Sequence, residues 1–337
     1  MTAVSPGPAA ETTMAIVLDE YGTAPEDVLR FAETARPAIA ADEILVRVRA
    51  ASVDRGTWHL MAGLPYPIRL AGLAFRTPKI PNPGRSLSGT VESVGRKVTV
   101  LKPGDEVYGT GNGSFATYAR AKADRIAPKP ASLSFEQAAA VPVSALTALQ
   151  AVRDHGQVQA GEKVLVIGAS GGVGTFAVQI AKAFGAEVAG VCSTRKADTV
   201  RSIGADHVID YTREDIADGQ RRYDVILDIG GNRRLSHLRR ALTPRGRLVI
   251  VGGESGGRWL GGTDRQLRAL LLSPLASQKL GTFIASENSA DLKILRDLID
   301  SGQITPTIDR TYPLSQTAAA IRYLQDGRAC GKVVIVI

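Results

Sequence analysis

Residues Val164–Lys196 read VLVIGASGGVGTFAVQIAKAFGAEVAGVCSTRK. An apolar run breaks into glycines, becomes a helical pattern and returns to an apolar run. Val164–Ile167 shows no polar alternation, as expected for a strand covered on both faces. The helix predicted over Thr175–Phe184 carries Phe176, Ile180 and Phe184 in one stripe, flanked by Ala177, Ala181 and Ala183, and Gly185 ends it. Between strand and helix stand Ser170 and four glycines, Gly168, Gly171, Gly172 and Gly174. The dinucleotide fingerprint G-x-G-x-x-G appears here with Ala169 in its first place, then Gly171 and Gly174. A side chain at Gly171 would keep a pyrophosphate from the backbone, and one at Gly174 would push helix off strand. The free amides of the helix start then face the anion. A merely structural tight turn is the competing reading, but the strand before and the helix after give the motif its required context.

The end of the stretch selects among dinucleotides. Sites that prefer NAD carry an acid about 20 residues past the motif, on the ribose 2′-hydroxyl. Counting forward reaches Val191, Cys192 and Ser193, with no Asp or Glu. Ser193, Arg195 and Lys196 suit a 2′-phosphate, which an acid would repel. The expected cofactor is NADP(H). A solvated helix start is the other reading of the two cations.

Working outward, apolar strands recur at Val188–Cys192, Val208–Ile209, Val225–Leu227 and Leu248–Val251, separated by helical patterns. That order implies an α/β unit with a doubly wound parallel sheet. A Gly-rich loop leads to a helix near Asp264–Leu272 and a strand near Thr282–Ala285. Helices Ala290–Ser301 and Ser315–Asp326 and a last strand, Lys332–Ile337, follow. Upstream, the first ~130 residues read as β-rich. EILVRVRAASVD alternates Ile44, Val46 and Val48 against Leu45, Arg47 and Arg49, and Pro-Gly-Asp turns split the strands after it. Short spacing predicts a small barrel or sandwich there. Arg69–Pro83 has no clear assignment. Ser134 is an N-cap with Gln137 at the capping-box position. The expected division is an N-terminal extension over 1–13, disordered by composition, a first domain over 14–140 completed by 276–337, and a cofactor domain over 141–275.

Composition bounds the rest. With 44% hydrophobic and 22% charged residues among 337, the chain can bury two cores. The +8 formal charge comes without a basic cluster interleaved with aromatics, so nucleic acid is not the expected partner. Ala138–Val152 and Leu267–Ala276 are too interrupted to span a membrane. Two cysteines, Cys192 and Cys330, form no disulfide framework, and the N-terminus has no apolar signal core. A cytoplasmic, reducing setting is expected.

SGTVESVG, KPGDEVYG, GASGGVG and a closing GKVVIVI, in this order, resemble the medium-chain dehydrogenase/reductase superfamily and its zinc-free quinone oxidoreductase branch. The resemblance covers about Met14 to Ile337. It implies a GroES-like β-rich catalytic domain, a Rossmann domain and a C-terminal segment that rejoins the first. Zinc-dependent members carry a Cys after AASV and a His-Glu pair before SGTV. Here those places hold Asp54 and Arg85-Ser86, and His59, His155, His207 and His237 lack ligand spacing. No zinc is expected.

The quinone oxidoreductase branch has an Asn and a Tyr facing the substrate after AASV. Their places are Asp54 and His59. An imidazole titrates near neutrality, so His59 suits a proton donor; a hydrogen-bonded structural histidine beside Trp58 is equally open. Similar proteins hold the 2′-phosphate through residues matching Lys196, Tyr211 and Arg328. Thr147, Gly172-Val173, Asp228-Ile229-Gly230-Gly231 and Val251-Gly252-Gly253 are the other cofactor positions the resemblance implies. It implies NADPH-dependent reduction of quinones or α,β-unsaturated carbonyls, and a homodimer joined through the last Rossmann strands. Alternatives are an enoyl-thioester reductase and a non-catalytic NADPH-binding sensor or nucleic-acid-binding module.

Overall fold

The computed structural model describes residues 11–67, 69, 77–253 and 257–337. Residues 1–10 of the expected extension, 70–76 of the Arg69–Pro83 stretch and part of the Gly-rich loop lie outside the described residues.

Strand β1 (Thr12–Leu18) pairs antiparallel with β2 (Leu29–Ala35). It takes in Thr12 and Thr13, which composition had assigned to the extension; Thr12 sits opposite Ala35 and Thr13 opposite Thr34. Next come β3 (Glu43–Val53), helix α1 (Arg55–Ala62), β4 (Ser86–Val94), β5 (Glu106–Thr110), β6 (Tyr118–Lys122) and β7 (Ile126–Pro128). With β14 (Ile308–Pro313) and β15 (Lys332–Val336) they form a seven-stranded sheet in the order β14-β15-β3-β4-β5-β7, with β6 also on β3. The alternation read in β3 holds at its centre: Val46 and Val48 are buried and Arg47 and Arg49 exposed.

The Ser134 capping box forms as expected, with Gln137 N donating to Ser134 Oγ at 3.2 Å and Ser134 N to Gln137 Oε1 at 3.0 Å. The helical run after it divides into α2 (Phe135–Ala139) and α3 (Pro142–Gln150) because Pro142 cannot continue a helix and instead starts one.

The second sheet is six-stranded and wholly parallel, in the order β10-β9-β8-β11-β12-β13. Its strands are β8 (Lys163–Ile167), β9 (Glu187–Cys192), β10 (His207–Asp210), β11 (Tyr223–Asp228), β12 (Leu242–Ile250) and β13 (Lys279–Thr282). Helix α4 (Gly172–Ala183) follows β8, α5 (Leu235–Ala241) follows β11 and α6 (Thr263–Leu272) precedes β13. Val164, Leu165 and Val166 are fully buried between two hydrophobic cores, one on each face of the sheet.

Strand β13 corrects two expectations. The apolar residues Phe283 and Ile284 suggested a strand over 282–285, but Ile284 is 97% exposed and the pairing residues are Lys279–Thr282. Because β13 pairs with β12, the parallel-sheet unit runs through Thr282, past the expected boundary at 275.

Candidate active site

Helix α4 starts at Gly172, three residues earlier than its apolar stripe suggested. Gly172, Val173 and Gly174 are therefore its first turn, whose amides have no partner within the helix. A Cβ at Gly174 would sit 2.1 Å from the Gly168 carbonyl oxygen, so this position admits only glycine. Gly168 itself has φ +85° and lies against Gly230, whose amide donates to Ile167 O at 3.1 Å. The Gly252 amide and the Val251 amide reach Asp228 O at 3.3 and 3.0 Å. The glycine loop and the ends of β11 and β12 thus share one rim, with Gly171 open: a Cβ there would meet only Gly168 O, at 3.5 Å. The free amides of α4's first turn, at Gly172, Val173 and Gly174, fit a dinucleotide pyrophosphate.

The predicted 2′-phosphate residues gather at the end of β9. Lys196 Nζ donates to Gly327 O at 3.0 Å and Ala329 O at 2.5 Å, and Arg195 Nη2 reaches Gly327 O at 3.2 Å. This ties the Arg328 loop to the Arg195–Lys196 turn after β9. Arg328 lies over the Tyr323 ring and pairs with Asp326 at 3.0 Å. Tyr211 follows on β10's exit, 55% exposed, its amide on Cys192 O. Burial lowers the Lys196 ammonium below the ordinary lysine value; Cys330 and Asp309 pull it up and Arg195 pushes it further down.

A cleft of about 710 Å³ lies between the two sheets, within the size of small-molecule sites. Asp54, His59 and Arg85 line it from one side and Thr147, Val251 and Gly253 from the other. His59 Nδ1 is 2.8 Å from Leu64 O. A carbonyl only accepts, so Nδ1 carries the hydrogen and Nε2 is the nitrogen left for a ligand. Trp58 stands edge-on at 5.1 Å.

Asp54 is occupied by the protein itself. Its Oδ1 accepts from Ser144 Oγ at 3.0 Å and from Lys332 Nζ, and its Oδ2 from Ser86 Oγ at 2.9 Å. It also closes a capping box with Thr57 at the start of α1. A carboxylate offers about four acceptor sites, and these partners fill them. Asp54 therefore positions its neighbours; it is not an idle base at the reacting centre. Lys332, 2% exposed, also donates to Val53 O at 3.2 Å and Ser144 Oγ at 3.1 Å. Its stem touches the glycine loop, since a Cβ at Gly172 would meet Lys332 Cδ at 2.9 Å. Sequence reasoning passed over Lys332, Ser144 and Ser86. The available signal was a lysine heading an otherwise apolar strand.

Asp228 is also corrected. Expected at the cofactor, it is fully buried, its carboxylate held by Arg265 and by the Gly231 amide at 3.2 Å. It shapes the loop carrying Gly230 and has no surface to offer a ligand. Among the described residues, no group of three or more His, Cys, Asp or Glu is placed to hold a metal ion, and no helix is long and apolar enough to cross a membrane.

Residues 40–131 match the alcohol dehydrogenase GroES-like domain and residues 203–335 the zinc-binding dehydrogenase domain. The chain is 32% identical to the 2-methylene-furan-3-one reductase of Solanum lycopersicum, across 99% of this chain and 84% of that one. It belongs to the medium-chain dehydrogenase/reductases. Within them it is quinone-oxidoreductase-like. It shares 32% identity with the chloroplastic NADPH-dependent alkenal/one oxidoreductase of Arabidopsis thaliana, over 95% of this chain and 78% of the other. A quinone oxidoreductase structure from Coxiella burnetii superposes with a TM-score of 0.84 at 27% identity, covering 97% of this chain and all of that one. This medium-chain reductase is thus an oxidoreductase with a GroES-like unit and a Rossmann-like unit using a nicotinamide cofactor.

Proposed function

We propose that the protein is a zinc-independent, NADPH-dependent reductase of quinones or α,β-unsaturated carbonyls. The cleft lined from both sheets carries this reading, because it brings His59 and Arg85 opposite the strand ends that bear Val251 and Gly253. NADPH, when bound, supplies the hydride. The amides of Gly172, Val173 and Gly174 would hold its pyrophosphate, with Ser170 and Gly171 leaving the approach open, Thr147 and Gly253 its nicotinamide end, and Ser193, Arg195, Lys196, Tyr211 and Arg328 its 2′-phosphate. His59, its ring fixed by Leu64 O, would hold the acceptor oxygen through Nε2. Arg85, steadied by Glu287 at 2.5 Å, places positive charge at the same wall.

NADPH oxidation should be faster with 9,10-phenanthrenequinone than with crotonyl-CoA, and His59→Ala should lower kcat/KM for the quinone about tenfold, one hydrogen bond's contribution. Faster turnover of the thioester would move the assignment to enoyl reduction. Binding of NADPH with no oxidation by either acceptor would point to a non-catalytic module.

The GroES-like unit is taken as residues 14–140 extended back to Thr12 by strand β1, with the chain after Thr282 returning to it. We also propose a homodimer joined along β13, the edge strand of the parallel sheet. Beside it, Leu267, Leu271, Leu275 and Ile284 are 59–97% exposed, an apolar surface that a monomer would leave in water. Leu271→Asp with Leu275→Asp should halve the mass measured by light scattering; an unchanged mass would rule this edge out. With two free cysteines, we take the compartment as the cytoplasm.

A further inference from the structure

Between α5 and α6, beyond the end of β11, lies a second cavity of about 490 Å³. Arg233 and Arg234 reach it from the loop after β11, Arg239 from α5, and Arg265 and Arg268 from α6. Asp264 is the one acid lining it, at a loose 3.7 Å from Arg268. Arg265 is only 9% exposed. One of its nitrogens meets Asp228, while Nε and Nη1 have no hydrogen-bond partner. Both atoms are buried beneath the cavity wall, so the protein holds a guanidinium there with only part of its hydrogen-bonding capacity used.

Charge points the same way. The five arginines stand against Asp264 and Asp228, with Asp215 also near Arg233, which leaves positive charge in excess. Gathered around a concavity, such charges focus a positive potential. Planar guanidinium forks match the oxygens of a phosphate in paired hydrogen bonds. A phosphate dianion offsets this excess better than a single carboxylate.

We propose that this cavity is an anion site for a phosphate group, separate from the cofactor's own phosphate positions. The 2′-phosphate cluster lies at the end of β9, and β8 stands between β9 and β11 in the sheet. Helix α6 separates the cavity from the substrate cleft: Thr263 and Gln266 line the cleft, and Arg265 and Arg268 line the cavity. An anion held by α5 and α6 would brace the cleft wall from behind.

The test uses the full chain saturated with NADPH, so that the cofactor's phosphate positions are filled. Inorganic phosphate and phenyl phosphate are titrated separately by calorimetry. Saturable binding is expected, weakened about tenfold or more in Arg233→Gln with Arg268→Gln, with NADPH affinity unchanged. Tighter binding of phenyl phosphate would identify a phosphorylated metabolite as the occupant, and tighter inorganic phosphate the free ion. No saturable heat with either probe, or equal affinity in wild type and variant, would overturn the proposal. Loss of NADPH binding by the Arg195 and Lys196 variants would leave it standing.

Discussion

Replacing Arg195 and Lys196 together by Ala should weaken NADPH binding about a hundredfold or more while changing NADH affinity less than about threefold. Each removed cation forfeits a charge-assisted hydrogen bond of about 1.5–3 kcal/mol to the 2′-phosphate, and two compound to at least two decades. NADH lacks that phosphate and serves as the control. Both side chains also hold the carbonyls of Gly327 and Ala329. An equal loss for both cofactors in calorimetry would show that they only pin this loop. The discrimination should also depend on pH. Lys196 grips a phosphate only while protonated, and its ammonium lies below the ordinary lysine value. The NADPH preference should therefore fall as pH rises through that lowered value, and Lys196→Arg should extend it to higher pH.

The second large effect concerns Lys332. Lys332→Met should lower the unfolding free energy by about 3–5 kcal/mol, because it strands the buried Asp54 carboxylate without its counter-charge. Both partners are nearly inaccessible, with side-chain exposures of 2% and 6%, so water cannot compensate. Combining it with Asp54→Leu should restore most of the loss, since a buried ion pair and a well-packed apolar pair are often comparable in stability. Urea denaturation of the two single variants and the double variant measures the coupling. A loss below about 1 kcal/mol in Lys332→Met would mean that the pair is solvated and the cluster does not hold the cleft together.

What the sequence revealed and what it hid divide by sequence distance. The Val164–Lys196 unit was legible because strand, turn, helix and strand lie within one local pattern, and the Ser134 cap because its partner is three residues away. The Asp54 cluster was not. Lys332 lies 278 residues from Asp54 and Ser144 lies 90, and no local period records which side chains a tertiary fold will bring together. Asp228 looked like a ligand because strand carboxyl ends line such crevices. Its burial depends on Arg265, 37 residues on. Strand β13 was misplaced because pairing at a sheet edge needs backbone, not apolar side chains. Lys279 and Gly281 pair while Ile284 stays in solvent.

The Gly331 amide donates to Ser170 O at 2.8 Å, and its neighbour Lys332 caps the Asp54 cluster. Residues 331 and 332 thus knot the glycine loop to the far wall of the cleft. The consequence is one of timing during biosynthesis. A chain can have all six strands of its parallel sheet by Thr282, yet the glycine loop is not joined to the Asp54 cluster until Gly331 and Lys332 have been added.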